Sequence, residues 1–243
     1  MSNRLAIDIG GTFTDVVLQR KTERYTTKVL TTHEDPTDGA LEAVKTVLGK
    51  SGTESDSMEL VVHGTTLATN ALIQRRGAKT ALLTTAGHRD VIEMAFENRF
   101  DQYDLNMERA PPLVPRVLRL PILERVNAAG EVVTALDTAS VDVALDVLES
   151  EQIESVAIGF LHSYANSSHE ELVAARLHER LKDVAVSISS AVCPEIREYE
   201  RFSTTCANAY VLPLMERYLI QLQNRLVGLG FRCSMLMMTS GGG

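Results

Sequence analysis

The stretch LAIDIGGTFTDVVL, residues 5–18, constrains the fold most strongly. Two short apolar runs lie on either side of a pair of glycines, Gly10 and Gly11. Because glycine adopts the backbone of a tight turn without steric cost, these runs predict two strands joined by a hairpin. This part of the chain is therefore expected to belong to a β-sheet.

The order of the elements that follow indicates an α/β protein. A third strand precedes an amphipathic helix, in which Asp35 is the predicted cap and Pro36 lies in the first turn. In chain order, the predicted elements are strands at 4–10, 14–19 and 24–31, a helix at 35–49, the strand LVVH, the helix TTLATNALIQRRG and the strand KTALLTT. The order βββαβαβ is that of a three-stranded meander extended by crossover strands, with helices covering the sheet.

The downstream sequence predicts further α/β structure and a long helix. The charged, proline-rich segment 97–116 is too long for a simple connector and is interpreted as a functional loop or the entry to a subdomain. A hairpin at 127–130, a helix, the strand SVAIGFL and a helix opened by a Ser168/Glu171 capping box follow. The helical stretch 195–229 contains Pro213, which is expected to end or kink it, and the strand RCSMLMM then leads into TSGGG.

These elements predict two regions. Residues 1–192 are expected to form an N-terminal lobe that includes an inserted or appended α/β subdomain. Residues 193–243 are expected to form a long helical segment and a strand that begin the next lobe, with the chain stopping where a glycine-rich turn would lead onward.

Composition excludes several functional classes. Of the 243 residues, 44% are hydrophobic, which permits a substantial core, and the formal charge of −8 without a basic stripe argues against nucleic acid or an anionic membrane as partner. The three cysteines are scattered and lack CxxC spacing, so they predict neither a disulfide framework nor a zinc site. No targeting or membrane-spanning segment is recognisable, and we expect a cytoplasmic protein.

The hairpin carries the first candidate site. Gly10 and Gly11 allow backbone N–H groups to approach an anion, the Thr12 and Thr14 hydroxyls are candidate phosphate donors, and Asp8 is a candidate magnesium ligand. Because Mg²⁺ keeps several waters and shares its coordination with substrate phosphates, one carboxylate suffices, and ATP is the expected ligand. The alternative is a plain hairpin, with glycines for the turn and threonines for strand propensity.

The second candidate site is HGTTLATNAL, residues 63–72, where a strand ends and a helix begins. N–H groups at a helix start stabilise an anion, and Thr65, Thr66 and Asn70 add polar side chains while His63 is a candidate for proton transfer. The alternative is that Thr65 or Thr66 only caps the helix and that His63 is a core histidine. The spacing alone leaves both interpretations open.

The ordered set of motifs resembles the N-terminal region of the hydantoinase A/5-oxoprolinase family, in the manner of an N-methylhydantoinase A subunit. The matching segments are DIGGTFTD, VHGTTLATNALIQRRGAKTALLTTAGHRDVIEM, YDL, PPLVPR, AIGFLHSYANSSHE and EIREYERFSTTCANAYV. The resemblance implies an actin/hexokinase/heat-shock-chaperone-like (ribonuclease H-like) ATPase lobe, which agrees with the order βββαβα.

Members of that family couple ATP hydrolysis to attack on unreactive carbonyls of hydantoins, 5-oxoproline, other lactams or ketones. The resemblance implies that Asp8 organises magnesium, that residues 10–12 and Thr14 bind phosphate, and that residues 63–70 face the ring carbonyl. It also implies a hydantoinase B-type second subunit or domain. The alternatives are a ketone-activating subunit of the acetone carboxylase type, or an ATP-gated interaction module without chemistry of its own.

The sequence departs from the family pattern in two places. Where many members have a Gly-Arg-Gln-like stretch, this chain has Phe96, Glu97 and Asn98, which leaves the substrate open; Arg99 either serves an anionic group or forms a solvated ion pair with Asp101. A second phosphate turn and an adenine pocket are expected after TSGGG. We therefore expect the isolated chain to bind Mg-ATP weakly and to be inactive.

Overall fold

The computed structural model describes residues 3–32, 35–96, 103–104, 106 and 110–239. The chain divides into two compact units, the first made of Met1–Gln74 and Leu214–Gly243 and the second of Arg75–Pro213. The second unit is therefore an insertion in the first. Across the described residues, no helix combines the length and the apolar character needed to span a bilayer.

The described residues form eleven strands and seven α-helices. The strands are β1 (Asn3–Ile9), β2 (Phe13–Arg20), β3 (Glu23–Leu30), β4 (Leu60–Thr65), β5 (Thr80–Thr85), β6 (Arg119–Ile122), β7 (Arg125–Val126), β8 (Val132–Thr134), β9 (Ser155–Gly159), β10 (Ala185–Ile188) and β11 (Ser234–Met237). The helices are α1 (Pro36–Ser51), α2 (Leu67–Ile73), α3 (Val91–Met94), α4 (Thr138–Ser150), α5 (Ser168–Arg180), α6 (Ser189–Val192) and α7 (Glu198–Gly228). The predicted order βββαβαβ is confirmed for the first seven elements.

The first unit is built on a mixed sheet with the strand order β11-β4-β1-β2-β3. Strands β1, β2 and β3 pair antiparallel, as expected of a meander, whereas β4 pairs parallel with both β1 and β11. The register sets Asp8 of β1 beside Gly64 of β4. Because β1 and β4 are parallel, the loops that follow them leave from the same edge of the sheet.

One face of this sheet forms the core of the first unit. Alternate residues of β1 and β2 are buried, which is the pattern of strands with a single covered face. Helix α1 begins at the predicted cap, where Asp35 accepts a hydrogen bond from the Thr37 N–H at 2.9 Å, and it ends at Gly52, whose φ of 60° is left-handed. The core combines residues of β1, β2, α1, β4 and the end of α7: Leu5, Ile7, Ile9, Val16, Leu18, Ala40, Ala43, Val44, Val47, Met58, Val61, Tyr218, Leu222, Leu226 and Phe231.

The second unit contains a parallel sheet with the order β10-β9-β5-β6 and a separate hairpin of β7 and β8. The hairpin expected at 127–130 is confirmed, and the Asn127 carbonyl accepts a hydrogen bond from the Gly130 N–H at 3.0 Å. All residues of β5 and β9 are buried, as is usual for central strands of a parallel sheet.

Three local expectations need correction. Pro213 does not end helix α7, because the helix is packed into a core on each side of it: Phe202 and Cys206 before the proline and Tyr218 and Leu222 after it. The expected boundary between residues 192 and 193 does not match the two units, since β11 pairs with β4 and so completes the first sheet.

The capping box also differs from the expectation. The cap of α5 is Ser167, whose hydroxyl donates to Glu171 at 2.6 Å, while the N–H of Ser168 donates to Asn166. Half of the loop at 97–116, including Glu97, Asn98, Arg99 and Asp101, lies outside the described residues, as do residues 240–243.

Candidate functional site

Asp8 lies near the carboxyl end of β1, on the exposed face of the sheet. Its neighbours Ile7 and Ile9 point into the core, so strand alternation directs the carboxylate outward. In an open α/β sheet, ligands bind beyond the carboxyl ends of parallel strands, where the loops diverge. The predicted magnesium ligand therefore occupies the edge of the sheet at which a ligand site is expected.

Gly64 makes room for this carboxylate. A Cβ atom on Gly64 would lie 3.2 Å from Asp8 Oδ1, closer than nine in ten real Cβ contacts. The φ of Gly64 is not in the left-handed region, so the backbone at this position does not itself require glycine. The group that a side chain at this position would press against is the Asp8 carboxylate on the neighbouring strand.

The turn between β1 and β2 offers backbone donors. The Gly10 N–H donates to the Phe13 carbonyl at 2.9 Å, which closes the turn, and the Thr12 carbonyl accepts from the Thr31 N–H at 2.9 Å. Within the described residues, the N–H groups of Gly11 and Thr12 have no protein acceptor, and both residues are exposed. Unpaired N–H groups in successive turn residues are a suitable cradle for an anion.

The two segments singled out from the sequence meet at Gly11. A Cβ atom on Gly11 would lie 3.0 Å from Nδ2 of Asn70, so the glycine admits the amide of α2 against the turn. The same Nδ2 donates to the Thr66 hydroxyl at 3.3 Å. The structure therefore brings together Asp8, the turn and the 63–70 segment, with a glycine at each close approach.

Thr14 does not belong to this site. Its side chain is fully buried, and its hydroxyl lies 3.1 Å from the hydroxyl of Thr31, which in turn donates to the Gly10 carbonyl at 3.0 Å. The prediction that Thr14 binds phosphate is therefore wrong in this structure. Thr14 instead helps to hold the hairpin to the end of β3.

His63 is a core histidine. It is fully buried, with Nδ1 3.0 Å from the Ile7 carbonyl and Nε2 2.7 Å from the Tyr218 hydroxyl. The carbonyl accepts only, so Nδ1 carries the hydrogen and Nε2 accepts from the tyrosine. Burial lowers the pKa of His63, and this effect outweighs the Ile7 carbonyl and the Asp8 charge, which both raise it. Burial also raises the pKa of Tyr218. With both nitrogens occupied inside the core, the candidate role in proton transfer does not fit the geometry.

Thr65 and Thr66 differ in their surroundings. The Thr65 hydroxyl donates to the Ile9 carbonyl at 3.2 Å and accepts from the Leu67 N–H at 3.1 Å, so this residue ties β1 to the start of α2. Thr66 is exposed. The Thr65 hydroxyl therefore caps the first N–H of α2, whereas Thr66 occupies the N-cap position without a side-chain cap and is exposed beside the half-buried Asn70.

The donor set fits a magnesium ion shared with phosphates. Among the described residues, no three His, Cys, Asp or Glu side chains lie together as a metal cage. Asp8 is instead a single exposed carboxylate beside the turn that carries the unpaired N–H groups, and the lack of a Cβ on Gly64 avoids a close contact with Oδ1. Mg²⁺ bound with nucleotide typically uses one or two carboxylates plus phosphates and waters, so one carboxylate here is sufficient.

Sequence reasoning missed Gly64, Tyr218 and Thr31. Gly64 directly follows His63 in the HGTT motif, but its function depends on the register of β4 against β1. Tyr218 lies 155 residues from its partner His63, and no local pattern joins them.

Comparison with known proteins gives close relatives. The caprolactamase alpha subunit of Pseudomonas jessenii is 37% identical over 99% of this chain, and the crystal structure of that ATP-dependent caprolactamase superposes with a TM-score of 0.88. A nucleotide-free acetone carboxylase structure gives a TM-score of 0.86 at 26% identity over 100% of this chain and 37% of that one. The 5-oxoprolinase of Saccharomyces cerevisiae is 31% identical over 89% of this chain and 20% of its own length.

The match covers nearly all of this chain but only part of each relative. This chain spans 36% of the caprolactamase alpha subunit, about a third of its length. Residues 4–181 match the family described as the hydantoinase/oxoprolinase N-terminal region, which covers most of the sequence and includes both the β1–β2 turn and the 63–70 segment. The chain therefore belongs to the hydantoinase/oxoprolinase N-terminal family.

Proposed function

We propose that the first unit is a nucleotide-binding lobe of the actin/hexokinase/heat-shock-chaperone type. Its sheet supports this assignment, because three antiparallel strands are extended on the β1 side by two parallel strands, in the order β3-β2-β1-β4-β11. The second unit is then a subdomain inserted between α2 and the end of α7. The division of the chain into a lobe and an insertion is part of the proposal.

The β1–β2 turn is the proposed phosphate site. The unpaired N–H groups of Gly11 and Thr12 would bind phosphate oxygens, and Asp8 would hold magnesium directly or through water. Bound there, ATP would supply the phosphoryl group for activation of a substrate carbonyl oxygen. The protein's own contribution is to keep the Asp8 carboxylate and the turn in fixed positions on paired strands, which is the preorganisation that such charge stabilisation needs.

The residues of the 63–70 segment have different roles in this proposal. Thr65 and His63 are positioning residues, because their hydrogen bonds fasten β4 and α2 to β1. Asn70 supports the phosphate turn through its contact at Gly11. Thr66 is the exposed polar side chain that would face the reacting carbonyl.

The proposed activity is that of the N-terminal part of an ATP-dependent cyclic-amide hydrolase. The single observation that carries it is the convergence of Asp8, the Gly10–Thr12 turn and Asn70, with glycine at both points of close approach. The similarity to an ATP-dependent caprolactamase and to 5-oxoprolinase supports cyclic amides as the substrate class. Because the matched caprolactamase chain is called subunit alpha, a second subunit of the hydantoinase B type is the proposed partner.

A second candidate is activation of a ketone. It is supported by the structural match to acetone carboxylase, whose TM-score of 0.86 is close to the 0.88 of caprolactamase. The two reactions share the need to activate a carbonyl oxygen with ATP, so the same turn and carboxylate would serve both. Lactams and ketones are therefore tested side by side.

The test uses the full-length enzyme with its partner subunit and measures phosphate release from Mg-ATP with hydantoins, lactams or ketones. Asp8→Asn removes the charge but keeps the size of the side chain, so we expect turnover to fall at least ~100-fold, or roughly 3 kcal/mol of transition-state stabilisation. The control is Asp56→Asn, the same change at an exposed position before the amino end of β4. Near-normal turnover by a folded Asp8→Asn enzyme would refute the proposal, as would an equal loss in the control.

A further inference from the structure

The second unit contains a cavity of about 240 Å³ that the proposed nucleotide site does not use. It lies between the segment at 110–113, the start of the unit and one face of α7. Its walls include Arg75, Ile92, Leu113, Tyr199, Ser203 and Cys206. At the ~30 Å³ that a water molecule occupies in liquid, the volume holds about eight non-hydrogen atoms.

Arg75 gives the cavity a positive charge. Its guanidinium Nη2 donates to the Pro111 carbonyl at 2.5 Å, which leaves its other N–H groups available. Among the described residues, Arg75 has no carboxylate partner, whereas Arg116 of the same unit is paired with Asp90 at 2.9 Å. A guanidinium without a carboxylate partner in the described part of the chain, at the wall of a cavity, favours an anionic ligand.

The backbone around Arg75 is held in an uncommon conformation. Arg75 has a φ of 54°, in the left-handed region that non-glycine residues rarely adopt. Two residues later, a Cβ on Gly77 would lie 2.2 Å from the Tyr210 ring, and the Ala78 N–H donates to the Tyr210 carbonyl at 2.9 Å. Arg75 directly follows the C-cap of α2, where a left-handed residue commonly ends a helix, and the close packing of Gly77 on Tyr210 holds the next residues against α7.

The remaining walls are apolar or neutral. Ile92 and Leu113 are hydrocarbon, and burial raises the pKa of the Cys206 thiol to about 12, so the thiol is uncharged at neutral pH. The ring of Tyr199 is fixed edge-on against Phe96 at a centroid distance of 4.9 Å. Within the described residues, the hydroxyls of Tyr199 and Ser203 have no hydrogen-bond partner, so they are free to bind a ligand.

We propose that this cavity binds a small aliphatic carboxylate, with the carboxylate on the Arg75 guanidinium and the Ser203 hydroxyl and the hydrocarbon chain against Ile92 and Leu113. A phosphate dianion fits less well, because the described residues of the wall supply one cation, Arg75, among apolar and neutral groups. The site lies within the second unit, and the proposal does not depend on ATP binding by the first.

The test is calorimetric titration of the full chain with hexanoate, which has eight non-hydrogen atoms, up to roughly 10 mM because so small a ligand binds weakly. Hexanamide tests the need for charge, and inorganic phosphate tests whether any anion suffices. We expect saturable one-to-one binding of hexanoate, and at least tenfold weaker binding of both other probes, as for loss of a charge-assisted hydrogen bond.

Two variants and one control locate the ligand. Arg75→Gln is expected to weaken hexanoate binding at least tenfold, whereas Arg76→Gln, the same change at the next exposed arginine, leaves it within twofold. Ser203→Leu is expected to abolish binding by filling the cavity. Thermal melts confirm that each variant is folded. Any of three results would overturn the proposal: no hexanoate binding, equal binding by Arg75→Gln and Arg76→Gln, or phosphate binding as tight as that of hexanoate. A separate titration with Mg-ATP tests the nucleotide site independently.

Discussion

Gly64→Ala separates stability from activity at the proposed magnesium site. The added methyl group would lie 3.2 Å from Asp8 Oδ1, whereas ordinary contact begins at 3.4 Å, so the carboxylate must withdraw by a few tenths of an ångström. Since a 1 Å misplacement costs about 10²-fold in rate, this shift is expected to lower turnover about three- to tenfold.

The same substitution is not expected to destabilise the fold. Residue 64 has no left-handed φ, and replacing glycine by alanine within a strand removes backbone freedom from the unfolded chain, a gain of about 0.5–1 kcal/mol that offsets the close contact. Urea unfolding of the chain measures stability, and phosphate release by the full-length enzyme with its partner measures turnover. The two measurements are predicted to move independently.

Gly49→Ala is the matched control. A Cβ on Gly49, in helix α1, meets no atom within 4 Å, so the helix gains about 1 kcal/mol and turnover is expected to stay unchanged. Wild-type turnover in Gly64→Ala would show that the carboxylate of Asp8 does not need its observed position. A loss of turnover that merely parallels a loss of stability would refute the reasoning equally.

Two further predictions concern the residues around the turn. Because burial lowers the pKa of His63 below its unfolded value of 6.5, protons bind the unfolded chain more readily, and the free energy of unfolding should fall as the pH drops from 7 to 5.5. In urea titrations, His63→Gln should weaken this dependence of the unfolding free energy on pH, whereas the control His178→Gln, at an exposed position, should leave it unchanged. An unchanged pH dependence in His63→Gln would exclude His63 as its source. Asn70→Ala, which removes the amide packed at Gly11, should reduce basal and substrate-stimulated ATP turnover to a similar degree, whereas loss of the stimulated activity alone would assign Asn70 to the carbonyl.

Features set by neighbouring residues could be predicted from the sequence. The hairpin, the Asp35 cap and the strand before His63 each depend on a few adjacent side chains, and all are present in the structure. Asp8 and the Gly10–Gly11 turn were singled out as candidates for the same reason. The pairing of distant segments could not be derived in this way, so the contact of Gly64 with Asp8 and the hydrogen bond from Tyr218 to His63 went unseen.

Thr14 illustrates a signal that was present but not used. Thr14 shares its parity with Val16 and Leu18, so strand alternation alone places its hydroxyl on the core side. Pro213 is the opposite case, in which no local signal was available. Tertiary packing on both sides of the proline maintains a helix that local propensity would interrupt. Thr14 was misassigned because the two-residue alternation of the strand was not applied to the motif. The course of the helix at Pro213 depends on packing that exists only in the folded chain.

The insertion of the second unit has a consequence for the order of folding during synthesis. Strand β4 gains its outer neighbour only when Ser234–Met237 emerges, after the whole second unit has been made. At ribosomal rates of about 5–20 residues per second, the outer edge of β4 therefore stays unpaired for roughly ten to thirty seconds. An unpaired strand edge is a template for aggregation, so the nascent first unit is a natural client for a chaperone, and expression of the chain without β11 should give insoluble protein.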